Sequence, residues 1–358
     1  MTSFLLRLRV DRLATLALAA LLAACASPPQ DGSRPPAETA STVEHASAAE
    51  MQLLRTLVAD QDRLYRVAAP LLVQNAPLCR SRARKLLGFV AKTRYSYSAH
   101  LAPAAQELLG LDERLRISAV LPGSAAVAAG VRPGDILVAA EGTAFPTGER
   151  AEQQAAELLA PLAGQRDKLS LTVLRGAQTL ELEVPLTTAC AFNIEVGQAD
   201  LVNAYGDGYR VLVTRGMLRA LHSDEELAYV LAKEIAHNVL GHAARQNQGA
   251  TMGGIIDNLV QLEPDLSALS GSSGLRPVRP EFDTAADRLS VYLLARAGYD
   301  VSGVTGFWRR LAQEYPASIA NGYTALHPET ERRLEALDQA VQDVRARQAE
   351  GRPLAPEL

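Results

Sequence analysis

The sequence predicts an α+β protein of two folded units, one mainly helical with a small sheet and the other rich in β-strands. Three patterns carry that expectation. Leu53, Leu54, Leu57, Val58, Leu64 and Val67 recur at three- and four-residue spacing, the period of an amphipathic helix. Leu169, Leu171 and Val173, then Leu180, Leu182 and Val184, alternate about Gly176 as in a hairpin. Ser223 stands three residues ahead of Glu226, a capping box that opens a periodic run to Leu240, and Gly241 suits the end of that helix.

Residues 1–25 read as an export signal and not as a fold element. Arg7, Arg9 and Arg12 precede an apolar run from Leu13 to Ala24 that is too short to span a bilayer as a helix. Leu22-Ala23-Ala24-Cys25 resembles a bacterial lipoprotein box. The resemblance implies cleavage before Cys25 and acylation of its thiol, so that the protein is a periplasm-facing lipoprotein of the cell envelope, anchored to the membrane through the Cys25 lipid. No aspartate adjoins Cys25, which by the same resemblance favours the outer membrane over the inner. Residues 26–48, rich in Pro, Ser, Thr and Ala, form a flexible tether.

Of three cysteines, Cys79 and Cys190 remain once Cys25 is lipidated. They either close a disulfide or stay as two separate buried thiols. A bridge would constrain about a hundred residues, worth on the order of 4 to 5 kcal/mol in the chain-entropy model. With 358 residues and 48% hydrophobic side chains, the chain has material for two cores. A net charge of −4 with interspersed signs and no basic block argues against nucleic acid as a partner.

Residues 49–94 read as N-terminal helices whose apolar face packs on the helical unit. Residues 95–187 are the β-rich unit. Leu115 to Val120 is a strand, followed by Pro122-Gly123-Ser124-Ala125-Ala126, a short helix and Pro133-Gly134-Asp135-Ile136-Leu137. Glu152 to Ala160 reads as a longer helix, and the hairpin about Gly176 closes the unit. This order resembles a PDZ domain, a β-sandwich or barrel that binds an extended peptide, often a free C-terminus, as an added strand. Leu108-Leu109-Gly110-Leu111 is the candidate carboxylate loop.

Residues 188–342 are the helical unit, with residues 343–358 a polar tail. Phe192, Ile194 and Val196 alternate as a strand, and Val202–Tyr205 with Tyr209–Thr214 flank Gly206-Asp207-Gly208 as a hairpin. Gly and Ser clusters at 249–254 and 270–274 mark loops. Lys233-Glu234-Ile235-Ala236-His237 keeps the frame of a zinc-peptidase helix but puts lysine at the first ligand position. In the intact motif two histidines one turn apart face one zinc, and the glutamate deprotonates its water. An ammonium group has no lone pair, so Lys233 cannot ligate zinc while protonated.

The surrounding residues carry a wider likeness. Asn203-Ala204-Tyr205, Val213-Thr214-Arg215-Gly216-Met217-Leu218, Glu234-Ile235-Ala236-His237, Gly241-His242, Ala286-Asp287, Ala297-Gly298-Tyr299-Asp300 and His327-Pro328 with Arg333 occur in an order that resembles the HtpX and CAAX-prenyl-protease type of zinc metallopeptidase, the M-forty-eight peptidases, including periplasmic members with an inserted PDZ domain. The resemblance implies a zincin-like fold and a zinc cofactor. It makes Glu234 the general base, His237 and Asp283 metal ligands, His327 the oxyanion stabiliser and Asn203 part of the strand that pairs with substrate. Asp283 replaces a glutamate and carries its carboxylate one methylene nearer the backbone. Lys233 and Asp283 together predict weak or absent zinc, with Lys233 pairing with Asp283 and Glu234 in its place. His242 and Asp287 fall to supporting positions behind the ligands, and Arg333, with Glu329 and Glu331, to a surface salt-bridged helix.

Three functions follow as expectations. The first is a polypeptide-binding envelope lipoprotein with a degenerate peptidase site. The second is an active zinc metalloendopeptidase of envelope quality control. The third is a scaffold that recruits partners through its PDZ unit.

Overall fold

A computed structural model describes residues 45–245, 249–264, 279–315 and 330–356. The signal with Cys25, most of the tether, the Ser270–Gly274 loop, His327 and Pro328 lie outside the described residues. Helix α1 (Ala48–Gln74) opens with a capping box in which Ser47 and Glu50 bond reciprocally, satisfying two donors that a helix start leaves orphaned. Leu54, Leu64, Val67 and Leu71 of α1 are fully buried, so the apolar stripe read from the spacing does face a core.

The chain then enters the β-rich unit through β1 (Ala83–Leu86) and β2 (Phe89–Lys92). After α2 (Ala102–Leu109) come β3 (Arg116–Val120), α3 (Ala125–Ala128), β4 (Ile136–Ala140), β5 (Thr143–Ala144), α4 (Ala151–Gln165), β6 (Lys168–Arg175) and β7 (Gln178–Pro185). One sheet of order β2-β3-β4-β6-β7, with β5 on β4, contains them. Its first strand lies ahead of Tyr95, where the unit was expected to begin. Ile117, Leu137, Leu169, Leu171 and Val173 alternate into the core of this unit, the two-residue period of a half-buried sheet.

Leu108–Leu111 does not form the expected carboxylate loop. It is the end of α2, closed by Gly110 at φ 63°, and it packs with Leu54 and Ala105 against α1. The helical period of Ala104, Ala105 and Leu108 competes with the loop reading and prevails.

The chain leaves this unit through β8 (Thr187–Cys190), which pairs antiparallel with β1 so that Cys190 faces Ala83. Cys79 and Cys190 are bonded, with Cα atoms 5.6 Å apart and 111 positions between them in sequence. The β-rich unit therefore hangs on a two-stranded stalk closed at its base by a disulfide.

The helical unit begins with β9 (Asn193–Gly197), β10 (Ala204–Gly206) and β11 (Arg210–Thr214), in the order β10-β11-β9. Then follow α5 (Arg215–Ala220), α6 (Asp224–Val239), α7 (His242–Arg245), α8 (Gly249–Val260), α9 (Pro280–Arg296), α10 (Val304–Glu314) and α11 (Thr330–Ala349). Ser223 caps α6, its hydroxyl accepting from Glu226 N at 3.2 Å. The capping box is only half made, because the Glu226 carboxylate accepts from His222 N and from Arg310 instead. Every residue from Leu227 to Asn238 is buried, so α6 is a central helix with no solvent face along that stretch. Gly206 lets β10 lie against it: a Cβ there would meet Asn238 Oδ1 at 2.8 Å and the Glu234 carbonyl at 2.9 Å. Among the described residues no helix is long and apolar enough to cross a membrane.

Asp135 shows how the β-rich unit is held. Its fully buried carboxylate accepts from Arg175 Nε and from a second guanidinium nitrogen, both at 2.7 Å, and from Arg132 N at 3.0 Å. Burial works to raise its pKa, but these donors hold it below the usual carboxylate range. A folded-state pKa below the unfolded value stabilises above the unfolded pKa and loses that effect as pH falls. In urea denaturation at pH 7, Asp135→Asn should cost about 2 kcal/mol. The gap from the native chain should shrink as the pH is lowered below roughly 4; a gap that widens on acidification contradicts this assignment.

Candidate functional site

Helices α6 and α9 pack together and each supplies residues one turn apart, a spacing that puts both on one face. Lys233 and His237 come from α6, and Asp283 and Asp287 from α9. Lys233, Asp283 and Asp287 have no exposed surface, and Glu234 and His237 have at most 5%. Arg333 of α11, Trp308 of α10 and His242 of α7 close round them, also buried.

Lys233 Nζ lies 3.1 Å from Asp283 Oδ1 and 3.9 Å from Asp287 Oδ1, and 5.1 Å from the centre of the Trp308 ring. His237 Nε2 reaches the same Asp283 oxygen at 3.3 Å. Arg333 grips Asp287 with two parallel bonds, at 2.6 and 2.9 Å. Two buried cations thus stand against two buried carboxylates. The described carboxylates within 4.0 Å of Lys233 Nζ are on α9, whereas the sequence suggested Asp283 and Glu234; adjacent residues of a helix point about 100° apart, which turns Glu234 away. Among the described residues neither oxygen of Asp283 meets the angular requirement of a well-aligned hydrogen bond, so charge attraction to Lys233 and His237 is the main force on it.

Arg333 corrects a second expectation. It is not a surface residue but the buried counter-ion of Asp287, because α11 packs on α9; Glu329 lies outside the described residues. His242 also moves. Gly241 at φ 67° ends α6, and the new helix α7 brings His242 Nδ1 to 3.0 Å from His237 Nδ1, with its ring stacked on Phe282.

The site's electrostatics follow from burial and these neighbours. Burial pushes Asp283 upward, but Lys233, His237 and the more distant Arg333 outweigh it and hold its carboxyl well below the usual range. Burial raises Glu234 above the usual range despite His237 and Lys233, and its Oε1 has no hydrogen-bond partner among the described residues. Burial first, and His237 second, push His242 down to about 3. Asp287 keeps Arg333 charged against the opposing effect of burial.

Asn203 sits immediately before the edge strand β10. Its side chain donates to Tyr205 O–H at 2.9 Å and accepts from Ala204 N at 2.8 Å, so it fixes the start of that strand from inside. Beyond it, β10 has β11 on one side only among the described strands, and runs beside Glu234 on α6.

A resident zinc can be tested against these donors. Two zinc ligands at about 2.1 Å in tetrahedral array lie roughly 3.4 Å apart, and His237 Nε2 and Asp283 Oδ1, at 3.3 Å, meet that spacing. The remaining donor set does not. Lys233 places an ammonium 3.1 Å from the same oxygen, where it repels a dication and offers no lone pair. Among the described residues no group of three or more His, Cys, Asp or Glu is arranged to hold a metal. The described residues therefore do not fit zinc. Trp308 has no role in the sequence-based expectations, where its one signal is that it is the only tryptophan.

Residues 165–341 match the model of peptidase family M48, and residues 116–175 match the PDZ domain. A putative beta-barrel assembly-enhancing protease of Vibrio cholerae is 30% identical over 171 residues, 43% of this chain and 34% of that protein. The mitochondrial metalloendopeptidase OMA1 of Schizosaccharomyces pombe is 28% identical over 138 residues, 37% of this chain and 41% of that protein. The chain thus spans well under half the length of either relative. The solved PDZ domain of HtrA3 with a phage-derived ligand is 20% identical at a TM-score of 0.21, covering 30% of this chain and 88% of that one.

If Lys233 and Asp283 neutralise one another, removing one is worse than removing both. Lys233→Met should lower stability by about 3 kcal/mol in urea denaturation, and Lys233→Met/Asp283→Leu should recover most of that loss. Additive losses in the double variant contradict the pairing.

Proposed function

From a peptidase family M48 domain joined to a PDZ domain in one chain, we infer an envelope protein that binds extended or unfolded polypeptide and in which an internal ion pair has taken the place of catalytic zinc. One observation carries the reading: Lys233 Nζ lies 3.1 Å from Asp283 Oδ1 with both groups fully buried. The ammonium supplies the positive charge that the metal supplies in the family, at the position where the metal's first ligand stood.

Polypeptide binding rests on two free strand edges. Strand β10 beside Glu234 and strand β2 at the end of the PDZ sheet each leave backbone N–H and C=O groups on one side without a neighbouring strand among the described residues. Such edges accept an extended chain by strand addition, with affinity from main-chain hydrogen bonds. Asn203 sets the start of β10, and buried Glu234 sits behind it, poised as general base only in a chain that retains metal. His327 belongs to the same proposal as an oxyanion donor of the ancestral chemistry.

The envelope placement rests on the Cys25 box and on the relative named for beta-barrel assembly. With Cys25 acylated, the folded body faces the periplasm at the outer membrane, and the Cys79–Cys190 bridge suits an oxidising compartment. A second reading, active zinc endopeptidase, is favoured by the zinc-like spacing of His237 Nε2 and Asp283 Oδ1.

Metal analysis and proteolysis separate the two. Purified native chain should carry far less than one zinc per protein, leave casein intact, and bind an unfolded polypeptide with an affinity that Glu234→Gln does not change. One zinc per chain together with casein cleavage abolished by Glu234→Gln establishes the endopeptidase instead.

A further inference from the structure

A cavity of about 540 Å³ lies away from the metal-type site, where α1, the segment between β2 and β3, β9 and the end of α8 meet. Its volume is that of a small-molecule site. Leu57 and Val58 of α1 and Leu101 and Leu111 of the β2–β3 segment form one side, and Val196 with Leu262 the other. Val260, which also lines it, is one of the large apolar side chains left exposed among the described residues.

Two cations and one carboxylate, Asp62, interrupt this mainly apolar wall. Lys92 and Arg116 are directly opposed partners on the antiparallel strands β2 and β3, and both line the cavity. Like charges facing one another across a strand pair destabilise a sheet. Neither has a carboxylate within 4.0 Å among the described residues, although Glu152 and Asp62 are near enough to act on Lys92 through space. Arg116 donates from one guanidinium nitrogen to the Gly134 carbonyl at 2.8 Å, and its Nε is buried with no acceptor among the described residues. Lys92 Nζ rests 4.8 Å from the centre of the Tyr97 ring, and burial lowers its pKa. Gln61 ties the cavity to the peptidase sheet: its side chain bonds Ile194 O at 3.0 Å and Val196 N at 3.3 Å.

An anion between Lys92 and Arg116 would turn the repulsion into attraction, while the mainly apolar walls suit an apolar body for the rest of the ligand. We propose that this cavity binds an apolar monocarboxylate, its carboxylate between Lys92 and Arg116 and its hydrocarbon body along Leu57, Leu101 and Val196. The inference stands apart from the zinc question, since none of these residues touches that site. A fatty acid and the free C-terminus of a short apolar peptide share this chemistry.

Calorimetric titration of the native chain tests it with dodecanoate below its micellar concentration, dodecanol as the uncharged control, and acetyl-Leu-Val-Val as acid and as amide. Dodecanoate should bind one to one and dodecanol at least tenfold more weakly. Arg116→Gln and Lys92→Gln should each weaken dodecanoate about tenfold, and Leu57→Trp, which fills the cavity, should abolish binding. Ligand-free Lys92→Gln should melt no lower than the native chain. If the peptide acid binds with the same dependence on Arg116 and its amide does not, the source is a peptide terminus; if only dodecanoate binds, it is a fatty acid. Equal binding of dodecanol, binding unaltered in both charge variants, or no binding of either acid overturns the proposal.

Discussion

An ammonium group without solvent contact must find negative charge, and the centre of this protein is arranged about that requirement. Taking Lys233 and Asp283 out of water costs several kcal/mol each before their attraction repays it. The repayment is shared: Asp287 adds a second carboxylate near Lys233 and is itself matched by Arg333 on a third helix. Helices α6, α9 and α11 are thereby held in register by charge as well as by apolar contact. A buried network of this kind adds little net stability, so its value here is in fixing how three helices meet.

The same arrangement organises the side chains round Lys233. His237 still turns Nε2 toward Asp283, and His242 still backs its other nitrogen. Glu234 stays behind β10, where Gly206 allows the strand to approach. In the function proposed above, a lysine at a metal-ligand position would cost a coordination bond but keep a positive charge at the centre, so neighbouring carboxylates need not be lost. The PDZ unit is joined elsewhere, through β1 and β8 and the disulfide at their base, and does not depend on that charge balance.

Much of this was legible in the residues. The Ser223 cap, the hairpin about Gly208 and the helix carrying Lys233 each have local signals, and the family resemblance that made Asp283 a ligand pointed to a partner of Lys233. What escaped was set by tertiary packing. Arg333 looks like a surface residue because nothing local announces that α11 covers α9. Leu108–Leu111 resembled a loop, yet α1 offers its apolar face to the end of α2. Glu226 seemed to complete a capping box, but Arg310, distant in sequence, draws its carboxylate away. The opposition of Lys92 and Arg116 depends on strand register, which the intervening helical segment conceals.

The claim on which the rest depends is that Lys233 occupies the place of the metal's charge. Anomalous diffraction at the zinc edge, from crystals of the native chain grown with excess zinc, tests it most directly. The account predicts no anomalous peak between His237 and Asp283, with Lys233 Nζ in contact with the Asp283 carboxylate. A full-occupancy zinc peak bonded to His237 and Asp283, with Lys233 displaced, would contradict it.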